Sequence, residues 1–135
     1  MISLLDEAGL AGRALEFGRT LASGDVVWLE GELGAGKTTF VKALVQGLGV
    51  TTPATSPTYG LVHHYDAPGG PVYHVDCFRL RTPEEARDLD WETLCTGAAL
   101  LIEWPERAGA WAPRASRRVL LAHTANPDVR RVEFV

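Results

Sequence analysis

Cysteine is scarce in this chain. There are two, Cys77 and Cys95, with no CxxC pair and no zinc-type spacing. A disulfide framework and a metal knuckle are therefore disfavoured, and a reducing compartment is the simpler setting. Long apolar runs are missing too. The longest, Ala98 to Ile102, falls far below the roughly 20 residues that a bilayer-spanning helix needs. The first residues, Met1-Ile2-Ser3-Leu4-Leu5-Asp6-Glu7, carry no basic stretch and turn acidic at once, unlike a signal peptide. Together these absences predict a cytoplasmic protein with no membrane association. An excess of positive charge is also lacking. The formal net charge is −4, whereas a domain that grips nucleic acid unaided shows a basic face. There is no repeat, linker or low-complexity tract, and 135 residues suit one domain, 1–135, with one core. That size leaves no room for a catalytic domain beside a separate substrate domain.

What is present alternates between helical and extended patterns. Leu10, Ala14, Phe17 and Leu21 recur on one face of a helix that Gly24 is expected to close. Val26-Val27-Trp28-Leu29 reads as a buried strand, and Phe40, Ala43, Leu44 and Leu48 mark a second amphipathic helix closed by Gly47 and Gly49. Thr51 to Pro57 reads as a loop. Tyr59 to Tyr65 and Val72 to Asp76 read as strands, joined into a hairpin by the turn cluster Asp66-Ala67-Pro68-Gly69-Gly70. At Thr82-Pro83-Glu84-Glu85 the residues suit a capping box opening a short helix that runs to about Asp90. Ala98 to Ile102, Val119 to Ala122 and Val132 to Phe134 complete the strands. The class is α/β: a P-loop NTPase-like single domain with a central, mainly parallel sheet, a β-hairpin and flanking helices.

The loop between the first strand and the second helix carries chemistry. Gly31-Glu32-Leu33-Gly34-Ala35-Gly36-Lys37-Thr38 matches G-x-x-x-x-G-K-[ST]. Triphosphate oxygens need many donors in a small space. Glycines let successive backbone N–H groups point inward, and the helix that follows adds its unpaired N–H groups and the positive end of its dipole. Gly34, Ala35, Gly36, Lys37, Thr38 and Thr39 are the candidate phosphate-binding residues. Lys37 would reach the β- and γ-phosphates of ATP, and the Thr38 hydroxyl would bind Mg²⁺. The strand before the loop and the helix after it are the context the motif requires.

Such a site needs a carboxylate at the end of a neighbouring strand. Leu100-Leu101-Ile102-Glu103 and Val72-Tyr73-His74-Val75-Asp76 both end in one; otherwise each acid is a solvated strand end. Glu103 is placed nearer the metal because its strand looks more central. Ser56-Pro57-Thr58-Tyr59, in the loop after the phosphate-loop helix, is either a phosphate-responsive hydroxyl segment or a plain proline turn. The sequence has no Asn-Lys-x-Asp motif for guanine, which favours ATP over GTP. His63, His64 and His74 lie near Asp76 and Cys77, and a transition-metal site there is the lesser reading. Trp104 either covers the nucleotide or packs the core. Arg114, Arg117, Arg118, Arg130 and Arg131 either face an anionic partner or are solvated charge.

Four segments together resemble the TsaE (YjeE) family of small bacterial ATPases: the phosphate loop, Ser56-Pro57-Thr58-Tyr59, His74-Val75-Asp76-Cys77-Phe78-Arg79-Leu80 and Ile102-Glu103-Trp104-Pro105-Glu106. They occur in the family's order and at its spacing. Phe78 stands where the family usually has Tyr, and the region Asp88-Leu89-Asp90-Trp91 lacks a frequent Gly. The resemblance implies an ATPase accessory subunit in making N6-threonylcarbamoyladenosine at position 37 of tRNA, docked on a TsaB–TsaD complex and touching tRNA only indirectly. It further implies that Lys37 and Thr38 hold the phosphates and Mg²⁺, that Glu103 is the metal-associated acid, and that Thr58 and Asp76 respond to the γ-phosphate. The competing expectations are a small-molecule kinase, for which Arg79, Arg81 and Arg87 are the nearby arginines, and a nucleotide sensor without turnover.

Overall fold

The computed structural model describes residues 1–53 and 61–135. Deep in its sheet lies the strand Ala99–Glu103 (β5), whose every residue is buried, as the apolar run Ala99 to Ile102 requires. Val26–Gly31 (β2) and Gly70–Asp76 (β4) flank it in parallel, and Arg117–His123 (β6) extends the parallel set beyond β2. The margins are antiparallel. Val62–Ala67 (β3) forms the predicted hairpin with β4, while Arg130–Phe134 (β7) pairs with β6 and then with the N-terminal strand Ile2–Leu5 (β1). The full order across the seven strands is β1-β7-β6-β2-β5-β4-β3. The parallel strands are thus the central four, and the chain's two ends meet at one edge. β1 was not foreseen, because its four residues hold no strong pattern.

Successive strand residues point to opposite faces, and the two layers divide accordingly. Val27, Leu29, Val72, Leu101 and Val119 pack against the helices Glu7–Arg19 (α1) and Lys37–Gly47 (α2), whose Leu10, Phe17, Phe40 and Leu44 meet them. Val26, Val75, Leu100 and Ile102 face the opposite layer. There they meet Ala86 of the 3₁₀ turn Pro83–Asp88, Leu89 just after it, Leu80 just after the 3₁₀ turn Cys77–Arg79, and Leu94 of the single helical turn Trp91–Leu94 (α3). The helices α1 and α2 approach so closely that a Cβ on Gly18 would lie 2.1 Å from the Leu44 carbonyl oxygen.

Two boundaries differ from expectation. The first helix stops at Arg19, where the Thr20 hydroxyl donates to the Phe17 carbonyl at 2.7 Å, so Leu21 packs from the following turn. Gly24, with φ of 88°, serves that turn rather than the helix end. At the second boundary, Thr82 makes no side-chain cap. Glu85 instead accepts from the Arg81 N–H at 2.8 Å, and the segment is 3₁₀. Asp90 then caps a fresh turn by accepting from Thr93 N–H.

Candidate nucleotide-binding site

β2 leaves the sheet at Gly31, where a Cβ would lie 2.3 Å from the Leu121 carbonyl oxygen of the neighbouring strand; only glycine fits. The loop then curls through Gly34 and Gly36, with φ of 78° and 102°, in the left-handed region that glycine occupies freely. Ala35 is buried beneath it, its N–H bonded to the Glu32 carbonyl at 3.1 Å. Gly36 stands at the start of α2 without any side-chain cap. The helix therefore presents unpaired N–H groups and its positive end to the loop's interior.

Lys37 is folded back into this loop. Its ammonium donates to the Gly31 carbonyl, and to that of Glu32 at 3.3 Å, and lies 4.0 Å from the centre of the Trp104 ring. The residue is 6% exposed. Burial pushes its pKa below the ordinary lysine value, and the carboxylates of Glu103, Glu106 and Asp76 pull the other way.

The two predicted acids arrive by register. Asp76 and Glu103 are direct partners across β4 and β5, at the end of the sheet where β2 delivers the loop. Both fall on the α2 side, in step with Val72 and Leu101. Asp76 accepts from the Phe78 N–H at 3.0 Å, which turns the chain away after β4. Glu103 is buried and held by His74, Nε2 to Oε2 at 2.7 Å. Immediately after it, Trp104 adopts φ of 55° and ψ of 49°, a left-handed conformation rare for a bulky residue, and Pro105 opens a 3₁₀ run. The sharp turn swings the indole over Lys37 and against Phe78, with ring centres 5.1 Å apart. Trp104 thus both lines the site and packs.

Gly34, Gly36, Lys37, Thr38, Thr39, Asp76, Phe78, Glu103 and Trp104 enclose one cleft of about 320 Å³. Thr38 and the two acids offer it hard oxygen donors, the set that suits Mg²⁺. Thr58 and its segment lie outside the described residues. Of the three histidines considered for a transition metal, His74 is turned to Glu103, and His63 stacks on His74 at 5.5 Å. Among the described residues no three His, Cys, Asp or Glu side chains gather as a metal site.

The sequence reading missed a second cleft on the other flank of the loop. About 450 Å³ in volume, it shares Gly34, Gly36 and Thr39 and is closed by Asp6, Leu10, Pro127, Asp128 and Arg130. These residues come from the two ends of the chain, brought together by the β1–β7 pairing and by the packing of α1 on β7, and no local pattern announces them. Arg130 donates to the carbonyls of Pro127 at 2.6 Å and Gly34 at 3.4 Å. Other members of the arginine-rich stretch also have internal contacts. Arg118 pairs with Glu30 at 2.8 Å, Arg117 lies 4.5 Å over the Phe17 ring, and Arg131 meets Glu133 at 3.8 Å. Arg79, Arg81 and Arg87 are exposed and do not line the cleft. Arg107, not singled out from sequence, bonds the Phe78 carbonyl at 2.8 Å and covers Trp104 and Phe78.

Among the described residues, no helix is long and apolar enough to cross a membrane. The family profile described as threonylcarbamoyl adenosine biosynthesis protein TsaE matches residues 6–132. A relative from Nostoc sp., named tRNA threonylcarbamoyladenosine biosynthesis protein TsaE, is 39% identical over 127 residues, 90% of this chain and 77% of its own. One of the same name from Bacillus subtilis is 36% identical over 112 residues, 82% of this chain and 69% of its own. The crystal structure of Bacillus subtilis YdiB superposes with a TM-score of 0.77 at 27% identity, covering 99% of this chain and 86% of that one. The chain belongs to the TsaE family.

Proposed function

We propose that this protein binds ATP with Mg²⁺ and hydrolyses it, in the cytoplasm, as an accessory subunit of tRNA threonylcarbamoyladenosine synthesis. The observation that carries the reading is the meeting of the phosphate-loop Lys37 and Thr38 with Asp76 and Glu103 on one cleft. The names of the relatives supply the pathway. On this reading backbone N–H groups of Gly34 and Gly36 and the start of α2 grip the phosphates, Ala35 adds its N–H on leaving the Glu32 carbonyl, and Lys37 leaves its carbonyls for the β- and γ-phosphate oxygens. Thr38 and Glu103 hold the metal, which when bound neutralises charge building up on the transferring phosphate. Asp76 and Thr58 respond to the γ-phosphate. The larger cleft, beyond Thr39, takes the nucleoside. The partner is a TsaB–TsaD pair, with tRNA reached through it. Steady-state hydrolysis, measured alone and with purified TsaB–TsaD from the same source, tests this, with Lys37→Ala as control. Turnover should be slow alone, rise with the pair and vanish in the variant. A rate indifferent to the pair would refute the accessory role, and retained nucleotide affinity in Lys37→Ala would refute the site.

A further inference from the structure

One buried side-chain contact in the sheet is not used directly by the proposed chemistry. His74 and Glu103 are 8% and 6% exposed, and their side chains meet at 2.7 Å. A carboxylate only accepts, so in this pair Nε2 of His74 is the donor. The geometry follows from register. Asp76 sits directly across from Glu103, and His74 is two residues back on the same face of β4, so its ring reaches diagonally to the acid. On the far side His63, the cross-strand partner of His74, stacks on its ring with the planes 26° apart. The imidazole is therefore held by the sheet on both sides, and it engages one oxygen of an acid that lines the phosphate cleft.

We propose that His74 is a positioning residue: its Nε2–H fixes the Glu103 carboxylate in the orientation that receives Mg²⁺ with the triphosphate. This deepens the reading above and rests on it. An unanchored glutamate at a strand end samples several rotamers and must be ordered each time metal arrives, whereas here the ordering is complete on folding. Partners of metal-associated side chains commonly change metal affinity about 10–100-fold when removed. His74→Phe retains a ring for His63 to stack on and removes only the donor. His74→Gln restores an N–H at nearly the Nε2 position, while the shorter His74→Asn does not reach it.

The test is the dissociation constant of a non-hydrolysable ATP analogue, measured calorimetrically in EDTA and in saturating Mg²⁺. The wild type should bind more tightly with Mg²⁺. His74→Phe should lose about 10–100-fold of that gain, with the EDTA value unchanged, and His74→Gln should recover it. Combined with Glu103→Ala, His74→Phe should add no further loss. Equal weakening in EDTA and Mg²⁺, or an intact Mg²⁺ gain, would overturn the proposal by making the pair purely structural. If His74→Phe does not fold, Gln against Asn decides: equal Mg²⁺ gains in the two would also overturn it. A wild type that binds the analogue in neither condition would instead overturn the nucleotide reading itself.

Discussion

Replacing Lys37 by methionine should move stability in two opposite directions, depending on nucleotide. In the free protein the ammonium is buried against two carbonyls and an indole, and its lowered pKa says that desolvation outweighs the carboxylates around it. The charge is thus less well accommodated in the fold than in water. Methionine keeps most of the apolar stem and removes the charge. Replacement of buried charge by apolar groups of similar size is neutral to stabilising, and the low end of that range, about 1 kcal/mol, is expected here. With about 2.1 cal/mol/K of unfolding entropy per residue, 1 kcal/mol corresponds to about 3–4 °C in a chain of 135 residues. Lys37→Met without nucleotide should therefore melt about 3–4 °C higher than wild type. Ligand at 100 times its Kd stabilises by about 2.7 kcal/mol, about 9–10 °C on the same scale, and the wild type should show this with MgATP or its analogue. The variant should show none of it, so the two melting curves exchange order when nucleotide is added. Differential scanning fluorimetry or calorimetry reads both shifts. A variant that melts lower without ligand, or one that keeps the ligand shift, would refute the account of Lys37 as a destabilising cation held ready for phosphate.

The same shift has a pH signature. Lys37 in the fold loses its proton below the 10.5 of a free lysine, so between those two values the unfolded chain holds more protons and stability rises with pH. The penalty is whole below the folded pKa and gone above 10.5, so the gap between Lys37→Met and wild type should narrow as pH climbs from neutrality toward 10.5; chemical denaturation at stepped pH measures it, and a widening gap would contradict the sign. Gly18→Ala should destabilise by about 2–4 kcal/mol, because its Cβ would stand 2.1 Å from the Leu44 carbonyl oxygen. Gly12→Ala, on the same helix with no atom within 4 Å, should stabilise by the usual helix gain of about 0.5–1 kcal/mol; urea unfolding of the two variants separates packing from propensity. Cys77 is buried and its thiol is pushed up to about 12, chiefly by burial. It should resist a thiol reagent at pH 8 in the folded protein and react on denaturation, and rapid labelling of the native protein at Cys77, located by mass spectrometry, would contradict the burial.

The phosphate loop was legible because local chemistry dictates its residues. A strand that must turn immediately past a neighbour's carbonyl needs Gly31, and left-handed φ at positions 34 and 36 needs glycine again. Glu103 was legible as the acid ending an apolar strand and Asp76 as the acid ending a more polar one, although only the pairing of β4 with β5 shows that they are neighbours. Other features turn on contacts that the sequence does not order by position. At the helix limit after Arg19 the Thr20 hydroxyl and the N–H groups of Thr20 and Leu21 all turn to the Phe17 and Gly18 carbonyls, and in place of the capping box Glu85 takes the Arg81 N–H. The second cleft required β1 and β7 to bring Asp6 and Arg130 to the same side of the loop, a juxtaposition of residues at opposite ends of the chain. His74 stood two residues before Asp76, and that spacing marks a shared face, but its partner lies on another strand.

The sheet's parity explains why the acids line the cleft beside the loop and their neighbours do not. Val72, His74 and Asp76 share the face that carries α2, while Val75 and Cys77 face the opposite layer. A slip of one residue between β4 and β5 would exchange these sets, placing the thiol where the carboxylate stands and burying the carboxylate among Leu80, Ala86 and Leu94. The antiparallel hairpin with β3 opposes such a slip, because its short turn at Pro68-Gly69 fixes one register and the His63–His74 stack sits within it. The acids are therefore positioned by the rigid interior of the sheet rather than by their own loops. Lys37, by contrast, is satisfied for the moment by carbonyls of its own loop. Binding on the proposed reading then requires little rearrangement of Asp76 and Glu103 and a single exchange at Lys37, in which phosphate oxygens replace the carbonyls of Gly31 and Glu32. The contribution of Lys37 to nucleotide affinity is the difference between those two sets of bonds. A fold that left the ammonium unsatisfied would be less stable, and one that held it more tightly would bind ATP less well.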